Sequence, residues 1–94
     1  MTNRQAPTWY IYILRCNDGS LYTGITTNVG RRLNEHNSSP KGARYTRARR
    51  PVQLVYREPA ASRSAAAKRE YQLKRLSLAQ KHSLIQTTSA YQSS

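Results

Sequence analysis

Residues 10–24 read YIYILRCNDGSLYTG. Two runs of β-formers, Trp9 to Arg15 and Leu21 to Thr26, flank Asn17-Asp18-Gly19-Ser20, a cluster of turn residues that marks a hairpin. The length of the loop decides what the hairpin can do. A three-residue loop, Asn17 to Gly19 with Gly19 left-handed, sets Cys16 opposite Ser20 and Tyr12 opposite Gly24. Side chains alternate across a strand, so Tyr10, Tyr12, Leu14, Tyr22 and Gly24 then share one face, and Ile11, Ile13, Leu21 and Ile25 the other. A two-residue loop would put Tyr12 and Tyr22 on opposite faces. The three-residue reading is favoured, because glycine suits the left-handed position and the faces sort into an aliphatic side, able to pack on helices, and an aromatic, polar side.

Working outward, Thr27 or Asn28 can cap a helix, and Val29, Leu33 and His36 recur at helical spacing, which places that helix at about 28–37. Residues 38–51 (SSPKGARYTRARRP) read as a basic, turn-rich loop. Val52 to Arg57 forms a short strand bounded by Pro51 and Pro59. Ala60 to Arg75 is helical by composition, with Ser62 or Ser64 as its cap, and a shorter helix follows at about 77–86. The fold class is α/β (α+β): a small three-stranded antiparallel sheet flanked by helices, in the order β-β-α-β-α-α. One domain at 9–86 is expected between flexible tails at 1–8 and 87–94.

The chain has 94 residues, enough for one domain with a thin core. Sixteen Lys and Arg stand against four Asp and Glu, a formal net charge of +12, and twelve of the sixteen are arginine. That balance points to a polyanionic partner, nucleic acid before any other. An anionic membrane would call for a basic surface helix with bulky apolar anchors, and none is legible. Lys41, Arg44, Arg47, Arg49 and Arg50 crowd around Tyr45, a combination able to track a phosphate backbone and stack a base; the plainer reading is a solvated loop. Cys16 is the single cysteine, so the chain can form no internal disulfide and has no zinc set of paired cysteines. It reads as a small buried strand residue. With no apolar run of about 20 residues and no apolar core in MTNRQAPTW, a soluble, cytoplasmic monomer is expected.

Tyr10-Ile11-Tyr12, with Tyr22-Thr23-Gly24 beginning ten residues after Tyr12, resembles the two halves of the GIY-YIG nuclease motif. The stretch Thr26 to His36 (TTNVGRRLNEH) is similar to the helix that follows in that superfamily, with Arg32 and then His36 one turn on. Glu70, in Lys68-Arg69-Glu70-Tyr71, resembles its metal-binding glutamate. The likeness spans about residues 9–85 and is nearest to the small stand-alone bacterial UPF0213 group. The sequence departs from the pattern in opening its first motif with Tyr10 rather than glycine, and in carrying no asparagine near His82.

The resemblance implies a metal-dependent endonuclease that hydrolyses phosphodiester bonds of DNA, with RNA also open. Tyr12 would act as, or support, the general base, with His36 able to take its proton. Tyr22 would bond the phosphate or the water, and Arg32 would clamp the scissile phosphate. Glu70 would hold one Mg²⁺ or Mn²⁺. The spacing permits this: Arg32 and His36 share a helix face, and Glu70 lies between Ala66 and Leu73 on an inward side. Each residue also has a plainer reading. The tyrosines can be ordinary strand residues, Arg32 a solvated charge, His36 a helix-end residue, and Glu70 the i,i+4 partner of Lys74. Arg31 can pair with Glu35 and is expected to take no part in catalysis. Other members of the superfamily serve DNA repair, homing and restriction with added domains. Here substrate structure, strandedness or a partner would set the target. A non-catalytic nucleic-acid-binding module of the same fold, and a basic protein that meets an acidic one, are the readings from other classes.

Overall fold

The first hairpin is closed by the three-residue loop. Cys16 N–H donates to the Ser20 carbonyl at 2.8 Å, Gly19 N–H donates to the Cys16 carbonyl at 2.9 Å, and Gly19 has a φ of +85°. The Asp18 carboxylate accepts from both the N–H and the hydroxyl of Ser20 and so stiffens the turn. In the computed structural model, which describes residues 7–92 and side chains through residue 87, β1 (Trp9–Arg15) pairs antiparallel with β2 (Leu21–Thr26), and Tyr12 stands opposite Gly24. The chain continues through α1 (Val29–Ser38), a single turn α2 (Arg44–Arg47), β3 (Gln53–Ala60), α3 (Arg63–Lys74) and α4 (Leu78–Gln92). The sheet order is β2-β1-β3, all antiparallel. Among the described residues no helix is long and apolar enough to cross a membrane.

The helix starts follow their caps. The Asn28 side chain accepts from Arg31 N–H at 3.0 Å, and the Ser62 hydroxyl accepts from Ala65 N–H at 3.0 Å. Three features differ from the sequence expectation. The basic loop contains the extra turn α2. β3 runs through Pro59 to Ala60, which is possible because β3 is an edge strand that pairs only with β1. α4 continues to Gln92, past the expected end at residue 86. Of the expected tails, residues 1–6 and 93–94 lie outside the described residues, while Pro7 and Thr8 are exposed.

β1 is the central strand and is buried on both sides; Ile11, Tyr12, Ile13 and Leu14 are all at most 2% exposed. Its aliphatic face, with Ile11 and Ile13, packs against Ala66 and Leu73 of α3 and Leu84 and Ile85 of α4. Each fully buried aliphatic side chain there contributes about 1.5–3 kcal/mol. Its other face, with Tyr12 and Leu14, packs with Cys16, Leu33 of α1, Val52 and Leu54. A bulge between Ile13 and Leu14 serves both cores: Tyr56 pairs with Ile13 and Leu54 with Leu14, which leaves Val55 as the extra residue. Val55 and Tyr56 thus both join the aliphatic core, and Leu54 fills the other. Tyr56 O–H donates to Glu58, and Arg69 donates to the same carboxylate at 2.8 Å, tying α3 to the edge strand.

Gly24 makes the Tyr12 face possible. A Cβ at that position would stand 2.5 Å from the Tyr12 hydroxyl oxygen and 2.7 Å from Cζ, so the ring lies across the bare glycine of the neighbouring strand. Gly24→Ala should therefore force the ring out of place and destabilise the protein by roughly 1–3 kcal/mol. Urea unfolding at neutral pH checks this; unchanged stability would show that the ring has room to move.

Candidate active site

Tyr12 reaches across the hairpin to α1. Its hydroxyl lies 2.8 Å from Nε2 of His36, and both side chains are buried. His36 Nδ1 meets two groups of the basic loop: the Thr46 hydroxyl at 2.7 Å and the Ala43 N–H at 3.3 Å. The Thr46 hydroxyl also lies 2.9 Å from the Ala43 carbonyl, within reach of both acceptors. A backbone N–H aimed at Nδ1 makes that nitrogen an acceptor, so the ring proton belongs on Nε2 and is donated to Tyr12 Oη. The phenol proton of Tyr12 is then free for another partner.

Burial keeps both groups neutral. It pushes the Tyr12 phenol up to about 12; the nearby Tyr22 adds to the shift and Arg32 opposes it. It also lowers the His36 imidazole to about 4, with the charge of Arg32 acting in the same direction. An imidazole this hard to protonate is a poor acceptor for the tyrosine proton at neutral pH, in contrast to the sequence expectation. Its position instead suits it to donate.

Tyr22, Arg32 and Tyr45 complete the cluster. The Tyr22 ring meets His36 edge-on at 5.2 Å between centroids and lies 6.4 Å from Tyr12. Tyr45 stacks on Tyr22 at 6.0 Å with 25° between planes, and the Arg49 guanidinium caps Tyr45 at 3.8 Å. Arg32 Nη1 donates to Glu35 Oε1 and to the Lys41 carbonyl, both at 2.9 Å, which fixes the guanidinium beside the phenol of Tyr12. Glu35 thus serves Arg32 more closely than Arg31, which stands 3.8 Å away.

Glu70 comes from α3. It is half-buried, close enough for its charge to raise the Tyr12 phenol, and paired with Lys74 at 3.2 Å. The plainer reading of Glu70 as an i,i+4 partner is therefore realised in this structure. Among the described residues no group of three or more His, Cys, Asp or Glu is placed to hold a metal ion. The donor set fits a largely hydrated divalent ion held by one carboxylate and a substrate phosphate, the arrangement Mg²⁺ prefers, and does not fit an all-protein cage. Among the described residues, Lys81 of α4 lines a cleft here with Leu21, Tyr22, Thr23, Tyr45 and Lys74. His82 next to it is exposed.

The basic loop divides. Lys41, Arg44 and Arg47 are exposed, and Tyr45 is 37% exposed. Arg49 is half-exposed and also bonds Asp18 at 3.1 Å. Arg50 is a correction to the expected phosphate-tracking set. Its guanidinium turns inward and donates to the carbonyls of His36 (2.6 Å), Glu35 (3.1 Å) and Ser39 (2.6 Å), capping the end of α1. Sequence reasoning missed Thr46, which is fully buried, and Asn37, whose side-chain amide bonds both the N–H and the carbonyl of Val52. The only signal for Thr46 was an uncharged residue among arginines.

Comparison with known proteins completes the picture: residues 8–83 match the GIY-YIG catalytic domain. The chain belongs to the GIY-YIG family. Among its relatives is a UPF0213 protein of Desulfotalea psychrophila, 61% identical over 82 residues, which cover 87% of this chain and 74% of that one. A UPF0213 protein of Staphylococcus haemolyticus is 53% identical over 77 residues, 82% of this chain and 93% of that one. The solution structure of an E. faecalis protein superposes with a TM-score of 0.60 at 43% identity, covering 96% of this chain and 93% of that one. That of a UPF0213 protein from Bacillus halodurans gives 0.55 at 46% identity, covering 85% and 84%. The GIY-YIG family assignment implies a nucleic-acid substrate.

The depressed imidazole carries a sign. His36 is harder to protonate when folded (about 4) than when unfolded (6.5), so the unfolded chain binds more protons between those values. The stability due to neutral burial is full above pH 6.5 and is lost as pH falls through 4, by on the order of 3 kcal/mol in total. Urea unfolding between pH 4 and 7 should show this slope, and His36→Asn should flatten it. An equally steep slope in the variant would assign the effect to other groups.

Proposed function

We propose that this protein is a cytoplasmic endonuclease that hydrolyses phosphodiester bonds of DNA with the help of a single Mg²⁺ or Mn²⁺ ion. The observation that carries the reading is the buried Tyr12–His36 pair with Arg32 fixed beside its phenol, and with Tyr22, which stacks on exposed Tyr45, against both rings. In hydrolysis, a water oxygen bonds to phosphorus, an ester P–O bond breaks, and the departing oxygen gains a proton. Arg32 is set to hold a non-bridging phosphate oxygen and the negative charge that builds there. Tyr12, once ionised, takes the proton of the attacking water. Both the Nε2–H of His36 and the charge of Arg32 favour that ionised phenol, while burial opposes it. Tyr22, whose ring lies against both, would bond the phosphate or the water. A divalent ion on Glu70 would neutralise phosphate charge and lower the cost of ionising groups around it. Lys41, Arg44 and Arg47 supply sequence-independent attraction for the polyanion. Substrate structure or strandedness is then the natural determinant of the target.

The Glu70–Lys74 pair favours one other reading, a non-catalytic binder in which that carboxylate never meets a metal. Cleavage of labelled single-stranded, duplex and branched DNA in Mg²⁺, Mn²⁺ and EDTA decides between them. Metal-dependent cutting is expected, lost in Glu70→Gln and in Tyr12→Phe. Its rate should climb by up to about tenfold per pH unit above neutrality as Tyr12 ionises. Binding without cutting on every substrate would support the binder.

A further inference from the structure

We propose that the cleft beside the active site is a second phosphate site, where Lys81 and Lys74 hold the phosphodiester group next to the one cut. Lys74 would join it only when Glu70 takes up a divalent ion. This rests on the nuclease reading and adds a coupling between its metal and its nucleic acid.

The cleft has a volume of about 210 Å³ and is lined by β2, α2 and the facing ends of α3 and α4. That space admits a phosphodiester group and excludes a duplex. Tyr22 is its shared wall: one side of the ring meets His36, and Tyr45 stacks parallel to it. A strand whose scissile phosphate lay at Arg32 and Tyr12 would therefore carry its neighbouring phosphate into the cleft. The cationic groups lining the cleft are ammoniums, from Lys74 and Lys81. An ammonium is a compact point charge on a flexible stem, suited to exchanging one anion for another.

Lys74 faces two anion positions. Its Nζ is 3.2 Å from Glu70 Oε2, yet its side chain is 53% exposed and also lines the cleft. With its ammonium side half in solvent the pair is weak, so giving it up costs little. A divalent ion on Glu70 would neutralise the carboxylate and repel the ammonium, leaving the adjacent phosphate as the nearest anion. Metal and nucleic acid would then each strengthen the binding of the other, as linkage requires.

Fluorescence anisotropy with a short labelled oligonucleotide tests this, in a Tyr12→Phe background so that the strand stays intact. In EDTA, Lys74→Gln should bind as its parent does, while Lys81→Gln should bind several-fold more weakly. In Mg²⁺, Lys74→Gln should also lose several-fold, with a salt slope shallower by about one. Glu70→Gln in EDTA should release Lys74 without any metal and tighten binding, and Lys74→Gln added to it should remove that gain. A gain that survives loss of Lys74, or an equal cost of Lys74→Gln with and without Mg²⁺, overturns the coupling. Absence of nucleic-acid binding in every state overturns the nuclease reading itself, whereas cleavage by the Tyr12-bearing protein without Lys74 coupling overturns only the coupling, and unchanged binding in Lys81→Gln overturns the second site.

Discussion

A hydrogen bond between Tyr12 in the middle of the sheet and His36 near the end of α1 holds the site side of the molecule together. Its partners are buried, and each neighbour serves to keep them there. Gly24 gives up a side chain so that the phenol can cross the next strand. Thr46 and the Ala43 N–H occupy the far side of the imidazole. Gly42 brings the loop backbone against α1 so closely that a Cβ would stand 2.7 Å from the Glu35 carbonyl oxygen. Arg50 then closes the circuit by bonding the carbonyl of His36 itself. The segment 38–51 is therefore a second wall of the site, folded back on the helix.

This folding-back redistributes the charge. Of the cations in that segment, Arg50 is spent on helix carbonyls and Arg49 is shared between Asp18 and the ring of Tyr45. Lys41, Arg44 and Arg47 keep their exposure. The Lys41 carbonyl also anchors Arg32, so the same short stretch that offers charge to a polyanion positions the guanidinium beside Tyr12. The buried pair contributes no charge of its own near neutral pH, because burial disfavours both phenolate and imidazolium. Arg32 is the dominant fixed cation at the heart of the cluster.

Local signals made much of this legible in the sequence. The Asn-Asp-Gly turn settles the hairpin register, and with it the shared face of Tyr12, Tyr22 and Gly24. Asn28 and Ser62 announce their helices by capping them. What sequence could not supply was long-range. Arg50 looks like its exposed neighbours until the end of α1 arrives with the His36 carbonyl, whose helical partner would be Pro40, a residue without an N–H. Thr46 looks like a loop residue until His36 arrives, and Pro59 looks like a strand end until β3 proves to be at the edge. The bulge at Val55 has no signature of its own, since it only reconciles two cores that the chain must fill at once. The sequence also offered two partners for Glu70, a metal and Lys74, and only the second belongs to the chain itself.

The single cysteine gives the molecule an internal gauge of how tightly the Tyr12 face is packed. Cys16 closes the hairpin through its backbone and buries its thiol with Tyr12, Leu14 and Val52, at 4% exposure. Burial also raises the thiol's pKa, so little of it is reactive thiolate in the closed state. A thiol reagent must wait for this half of the core to part from α1 and β3. The rate of its one-site modification in native buffer thus clocks the opening of the wall behind Tyr12. The aliphatic core on the opposite face contains no cysteine, so the modification rate reports on the Tyr12 half alone.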